Sequence, residues 1–174
     1  MEAYLDIETT GLSPRDCRIT VIGIYRWWGK GGEFVQLYDE RLTARDLLAA
    51  LEGVTCLHTY NGQRFDLPFI KAQLGVDLEA MYPHRDLMLD CWRLGLNGGL
   101  KAVESRIGIQ RELKGINGLD AVILWMRYER KGDLKALETL LKYNKEDVMN
   151  LLPLRCELDA RLATMTSFTR HDIG

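Results

Sequence analysis

Four acidic side chains and one tyrosine stand at spacings that can assemble a cation site. Asp6 and Glu8 are separated by one residue at the end of the apolar stretch Ala3-Tyr4-Leu5. If that stretch is a strand, alternate side chains share a face, so the two carboxylates project together. Side by side they repel, and the relief is a proton or a shared cation. Asp66 ends the segment Asn61-Gly62-Gln63-Arg64-Phe65-Asp66, between a strand-like and a helix-like run. The helix dipole favours an anion there, and α/β sheets commonly place ligand sites at the C-terminal ends of parallel strands. Tyr143 and Asp147 are four residues apart and share one helix face. Leu140, Leu141, Val148, Leu151 and Leu152 surround them, and an acid on such an apolar face is costly unless it is paired or binds metal. Each segment also has a plainer reading: two solvated acids, a helix-starting aspartate, and a salt bridge from Asp147 to Lys142 or Arg155.

The elements that must carry these residues follow from the pattern. Residues 3–7, 19–28 and 33–38 are rich in β-branched and aromatic side chains and read as strands. The glycine-rich turn at 29–32 makes the last two a hairpin. Thr43 caps a short helix to about residue 51, and residues 54–60 form a buried parallel strand. A helix follows over 66–74, with Pro68 in its first turn, where proline is tolerated. A short extended piece is expected near His84, then helices over about 86–94, 100–107, 118–130 and 134–161. Pro153 is expected to kink or split the last of these. A meander, a crossover and a helical half make an α/β fold with a mixed sheet.

Length and composition set limits. The 174 residues suit a single domain, 1–174, with a core over about 3–162 and a short polar C-terminal tail that includes His171. With 47% hydrophobic and 28% charged residues, the balance is that of an ordinary globular chain. The net charge of −2 and pI of about 5.9 do not advertise a nucleic-acid binder, although a carboxylate site lowers net charge and bound cations would reverse the local field. Cys17, Cys56, Cys91 and Cys156 form no CxxC pair, so they read as reduced thiols of a cytoplasmic protein. No apolar run reaches the roughly 20 residues of a membrane span. His58 reads as a core or hydrogen-bonding histidine and His84 as isolated. Asp86 and Asp90 read as a solvated helix face, and Trp27 and Trp28 as a strand edge covered by the fold, with a partner or nucleic-acid surface as the alternative.

Taken in order, Asp6, Glu8, Asp66 and Asp147, with Tyr143 four residues before the last, resemble the DEDD (DnaQ-like) 3′–5′ exonuclease superfamily. The tyrosine marks its DEDDy branch. The sister branch carries histidine one position later, where this chain has Asn144. The DIETTGL opening and the NGQRFDLPFI segment look like that superfamily's first two motifs. The segments 99–108 and 118–150 look most like the YprB-like predicted exonuclease domains. The likeness spans residues 4 to about 154.

That resemblance implies an RNase H-like fold: three antiparallel strands, then parallel additions, flanked by helices. It implies two divalent ions, Mg2+ or Mn2+, among Asp6, Glu8, Asp66 and Asp147, an oxygen-only set that suits those metals. Asp6 would bridge the two, Glu8 and Asp147 would complete the nucleophile side, and Asp66 the leaving-group side. Tyr143 would orient the attacking water. By the same carry-over, Thr9 and Thr10 would meet the terminal 3′-hydroxyl, Leu12 would wedge against the last base, and Asn61 and Phe65 would contact sugar and base. For Leu12 and Phe65, ordinary packing is the competing reading. Arg64, Lys101, Lys142 and Lys145 are phosphate contacts or merely surface charges. The expected substrate is the 3′ end of single-stranded DNA or RNA, released as 5′-mononucleotides, with either weak, distributive engagement or help from a partner protein. The alternatives are a nuclease-like module that binds nucleic acid or protein without turnover, and an internal endonuclease on the same fold.

Overall fold

The computed structural model describes the backbone of residues 1–171 and the side chains of residues 1–165. Strands β1 (Glu2–Thr9), β2 (Ile19–Trp27) and β3 (Gly32–Tyr38) form an antiparallel meander. Their Val, Ile, Tyr and Phe content suits a pleated surface. On the other side of β1, the short strand β4 (Cys56–Thr59) runs parallel to it, and β5 (His84–Asp86) runs parallel to β4. The order β3-β2-β1-β4-β5 makes β1 the middle strand of a mixed five-stranded sheet.

The helices cover both faces. They are α1 (Ala44–Ala50), α2 (Asp66–Leu74), α3 (Leu78–Met81), α4 (Leu87–Arg93), α5 (Leu100–Ile107), α6 (Gly118–Lys131) and α7 (Leu134–His171). Ala3, Leu5 and Ile7 of β1 pack into one core with Leu47 of α1, Phe69 and Ile70 of α2 and Leu78 of α3. Tyr4 packs into the other, with Leu87 of α4, Val103 of α5 and Val148, Leu151 and Leu154 of α7. Strand alternation therefore assigns Asp6 and Glu8 to the α7 side of the sheet. The β1–β2 register slips between Glu8 and Thr9, a bulge of the kind that ends pairing beside functional sites.

Several expectations need correction. Helix α7 runs unbroken through Pro153. Proline removes one helical hydrogen bond, but Leu151, Leu154 and Leu158 around it are fully buried against the sheet, and that packing holds the helix together. The polar segment after residue 161 continues this helix to His171, and residues 172–174 lie outside the described residues. Trp27 packs against the second core, whereas Trp28, just past the strand, is 53% exposed. Asp86 and Asp90 are buried rather than solvated, because α4 starts directly from β5 and its first turn lies against the segment after β4. Asp86 accepts hydrogen bonds from the backbone N–H of Met88 (3.1 Å), Asn61 (2.7 Å) and Gln63 (3.1 Å). Asp90 pairs with Arg85 at 2.6 Å and Arg93 at 3.1 Å. His58 is a buried core residue stacked on Tyr4, and His84 is not isolated, since its Nε2 lies 2.9 Å from Thr59 Oγ1. Among the described residues the cysteines are unpaired and no helix is long and apolar enough to cross a membrane.

Candidate active site

The β1 carboxylates and the α7 pair meet because α7 packs across β1 and β2. Asp6, Glu8 and Asp147 each offer an oxygen lying within 4.8 Å of the others. Asp66 enters from the N-terminus of α2 on the far side of β1. It is buried, and its Oδ1 accepts the Ile7 N–H at 3.1 Å, so its charge is felt by Asp6 although it stands outside that cluster. Two open clefts adjoin the cluster and share Asp6, Tyr143 and Asp147 on their walls. One, of about 240 Å³, is lined further by Glu8, Thr9, Leu12, Phe65 and Val122. The other, of about 380 Å³, is lined by Tyr60, Leu100 and Lys101.

Other expected contacts divide. Leu12 is 86% exposed at the cleft rim, which rules out ordinary packing for it. Phe65 reaches the cleft while its ring sits 4.9 Å from that of Phe69. Thr9 Oγ1 donates to Gly11 O at 2.6 Å. Thr10 closes the β1–β2 loop instead: its N–H donates to Arg18 O at 2.9 Å and its Oγ1 accepts the Arg18 N–H at 2.9 Å. Asn61 takes a left-handed turn with φ of 64°, a conformation asparagine tolerates better than most residues. Neither Thr10 nor Asn61 lines the two clefts.

The salt bridge weighed for Asp147 has a different partner. Lys142 pairs with Glu112 and Arg155 with Glu2 and Asp159, while Asp147 Oδ1 is held by Arg111. Arg111 is anchored in turn on Glu104, fully buried, at 3.0 and 2.7 Å. Arg111 lies in an irregular segment with no periodicity, so nothing in the sequence marked it. Lys101 is not a mere surface charge. Its Nζ donates to Tyr143 Oη at 2.5 Å and to Ile116 O at 2.6 Å. Asn144, noticed only as a departure from the histidine branch, is fully buried, and its Nδ2 donates to the Asp6 carboxylate at 3.2 Å. Its signal was legible: residues 140, 144, 147, 148 and 151 form one helical stripe, and a polar side chain on it needs a partner.

Such crowding of acids is electrostatically expensive. Burial, then Asp66, Glu8 and Asp147, push the Asp6 carboxyl well above its ordinary range. Burial and Asp147 do the same to Glu8. Burial raises Asp66 to about 7, against the hydrogen bonds it accepts from backbone N–H groups. Asp147 is raised by burial and held back by Arg111. Burial, then Asp147, Glu8 and Asp6, also raise the Tyr143 hydroxyl, which stays protonated. Glu8 Oε1 is buried without a hydrogen-bond donor. An orphaned carboxylate oxygen beside two further carboxylates, in an all-oxygen set, fits a hard divalent cation such as Mg2+ or Mn2+.

Known proteins share this architecture. NrnC of Brucella melitensis bound to pGG superposes with a TM-score of 0.64 at 21% identity, over 97% of this chain and 76% of that one. The same protein with bound Mg2+ gives 0.63 at 20%, over 97% and 77%. A family B DNA polymerase from the hyperthermophilic archaeon Pyrobaculum calidifontis gives 0.68 at 17%, over 90% of this chain and 24% of that one. At these identities the likeness is one of fold. No curated protein sequence matches the chain. The family model of the RNase H superfamily matches residues 3–158, nearly the full length, and the chain belongs to that superfamily.

Proposed function

We propose that this protein is a DEDDy-type 3′–5′ exonuclease that hydrolyses single-stranded DNA or RNA with two divalent ions, Mg2+ or Mn2+. The observation that carries the reading is the convergence of Asp6 and Glu8 with Asp147, from opposite ends of the chain, within 4.8 Å of one another in a cleft that Tyr143 also lines. The Mg2+ and pGG carried by the fold neighbour NrnC support it. Asp6, Glu8 and Asp147 would hold the ions, with Asp66 completing the set. When bound, the ions offset the charge of a phosphodiester and polarise it toward attack.

The chain's own groups do the rest. Lys101 donates to Tyr143 Oη, so the tyrosyl proton is free to point into the cleft. Held protonated by its surroundings, Tyr143 orients water as a donor and does not act as a base. Lys101 also brings positive charge to the wall of the second cleft, where a phosphate would lie. The exposed Leu12 meets the terminal base and Phe65 the face beside it, contacts that tolerate any sequence.

The test uses 5′-labelled single-stranded DNA and RNA with Mn2+, Mg2+ or EDTA, beside Asp6→Asn and Tyr143→Phe. The expected result is a metal-dependent ladder shortening from the 3′ end, abolished in Asp6→Asn and slowed on the order of 10²-fold in Tyr143→Phe, the scale of a lost orienting contact. Cleavage that survives Asp6→Asn sinks the mechanism, and internal cuts move the reading to an endonuclease. One observation favours a second reading, a binding module without turnover: Arg111 already supplies Asp147 with a cation. Strand binding with no cleavage in either metal would select it.

A further inference from the structure

We infer that Asn144, locked by Gln36, is a positioning residue that aims the Asp6 carboxylate at its cation, an inference that rests on the proposed reading of Asp6 as a metal ligand. Asp6, Gly23 and Gln36 lie in one row across β1, β2 and β3: Asp6 pairs with Gly23, and Gly23 with Gln36. The glycine leaves a notch in the middle of that row, and Asn144 fills it from α7. A Cβ at residue 23 would come within 2.3 Å of Asn144 Oδ1 and 2.8 Å of Val148 Cγ2. The backbone there needs no glycine-only angle, so space is the only demand that glycine meets.

The orientation of the amide follows from its ends. Gln36 Nε2 donates to Leu141 O at 2.8 Å. A carbonyl only accepts, so the amino group of Gln36 must face that way. The same Nε2 donates to Asn144 Oδ1 at 2.9 Å, which turns the Asn144 amino group toward β1. There Nδ2 donates to Asp6 Oδ2 at 3.2 Å and to Asp6 O at 3.3 Å, two groups that accept. The chain Leu141 O, Gln36, Asn144, Asp6 thus runs in one direction with no ambiguous member. It secures one oxygen of Asp6 from the side and ties the carboxylate to its own backbone, which fixes the rotamer of the side chain. Groups that hold a metal ligand from behind in this way commonly change metal affinity or activity about 10–100-fold when removed.

Reversing the chain without emptying it makes the decisive variant. In Gln36→Glu the new carboxylate accepts where the amide donated, so Asn144 flips and offers Oδ1 to Asp6, oxygen against oxygen. The new carboxylate also faces Leu141 O without a donor, but residue 36 is only half-buried, so water can serve both oxygens and we expect the protein to fold. Asn144→Leu removes the donor at similar size. Mn2+ affinity is read by titration calorimetry on the whole chain without substrate, with Asp6→Asn alongside. We expect Gln36→Glu and Asn144→Leu to weaken Mn2+ binding about 10–100-fold, and at subsaturating Mn2+ to lower kcat while KM for the strand holds. A lesion that is only structural would lower the melting temperature and strand affinity together. If Asn144→Leu does not fold, Gln36→Glu decides alone. Wild-type Mn2+ affinity in the positioning variants, with binding lost in Asp6→Asn, overturns the role of Asn144. Wild-type affinity in Asp6→Asn itself overturns the ligand reading, and the inference with it.

Discussion

Arg111 binds three carboxylates with one guanidinium: Glu104 through Nη1, and Asp147 and Glu146 through Nη2, the last at 3.3 Å. The planar fork spreads five donors in fixed directions, where a lysine ammonium offers three from a single point. A buried ion pair of this kind is poor evidence of net stability, yet removing one partner strands the other. Glu104 has Asn150 Nδ2 at 2.9 Å as its other donor, which cannot neutralise it. Arg111→Met is therefore expected to cost about 3–5 kcal/mol in urea unfolding with EDTA present. Glu104→Gln in the same chain should return part of that loss, since the stranded charge is then gone. Adding Mn2+ should return another part, because an ion can serve Asp147 but not Glu104. A loss below about 0.5 kcal/mol, the range of an ordinary surface change, would mean the network is far more hydrated than its burial indicates.

Asp86 joins three elements. It ends β5, caps α4 through Met88 and holds the Asn61 and Gln63 N–H groups of the segment that delivers Phe65 and Asp66. Asp86→Ala leaves these donors unpaired, each at about 1–3 kcal/mol if no water replaces the carboxylate. The variant is expected to melt several degrees lower and to engage a single strand more weakly, because Phe65 loses its fixed approach. Unchanged strand affinity would mean that α2 alone sets that wall. This junction shows where sequence stops being legible. The strands and the helices at Thr43 and Pro68 were readable because β-branched runs, caps and prolines act locally. The α4 acids four residues apart fit a solvated face equally well, and only the docking of β5 beside β4 buries them. Pro153 misled for the converse reason: a local rule predicts a break, and packing of three leucines overrides it. In the candidate site, the meeting of Asp6, Glu8 and Asp147 was anticipated by order and spacing, while Asp66 stands outside that cluster. Arg111 was not anticipated, because it stands in a segment without periodicity; for Asn144 the buried stripe showed the need of a partner, but not which, since its links to Gln36 and Asp6 span 108 and 138 residues.

Across the whole molecule the buried titrating groups give stability a distinctive pH profile. His58 is buried between strands and drawn down to about 4 from an ordinary value of 6.5, chiefly by burial. A depressed histidine contributes stability above its unfolded value that fades as pH falls toward 4. The site carboxyls have the opposite sign. Asp66, raised to about 7 by burial, and Asp6 and Glu8, raised by burial and by neighbouring carboxylates, favour the folded state while protonated. Their contribution is complete near pH 4 and is lost as pH climbs through the folded values. Between pH 4 and 6.5 the two slopes oppose each other. Above pH 6.5 His58 has finished, so the carboxyls set the slope, and the melting temperature in EDTA is expected to fall from pH 6.5 to 8. Divalent ions bind only the deprotonated cluster, so Mn2+ should stabilise the protein more at pH 8 than at pH 6.5 and flatten or reverse the fall. Thermal melts at both pH values, with EDTA and with Mn2+, check this directly. A melting temperature in EDTA that rises across that window would mean the acids are ionised at little cost, and their crowding would then give a cation no advantage.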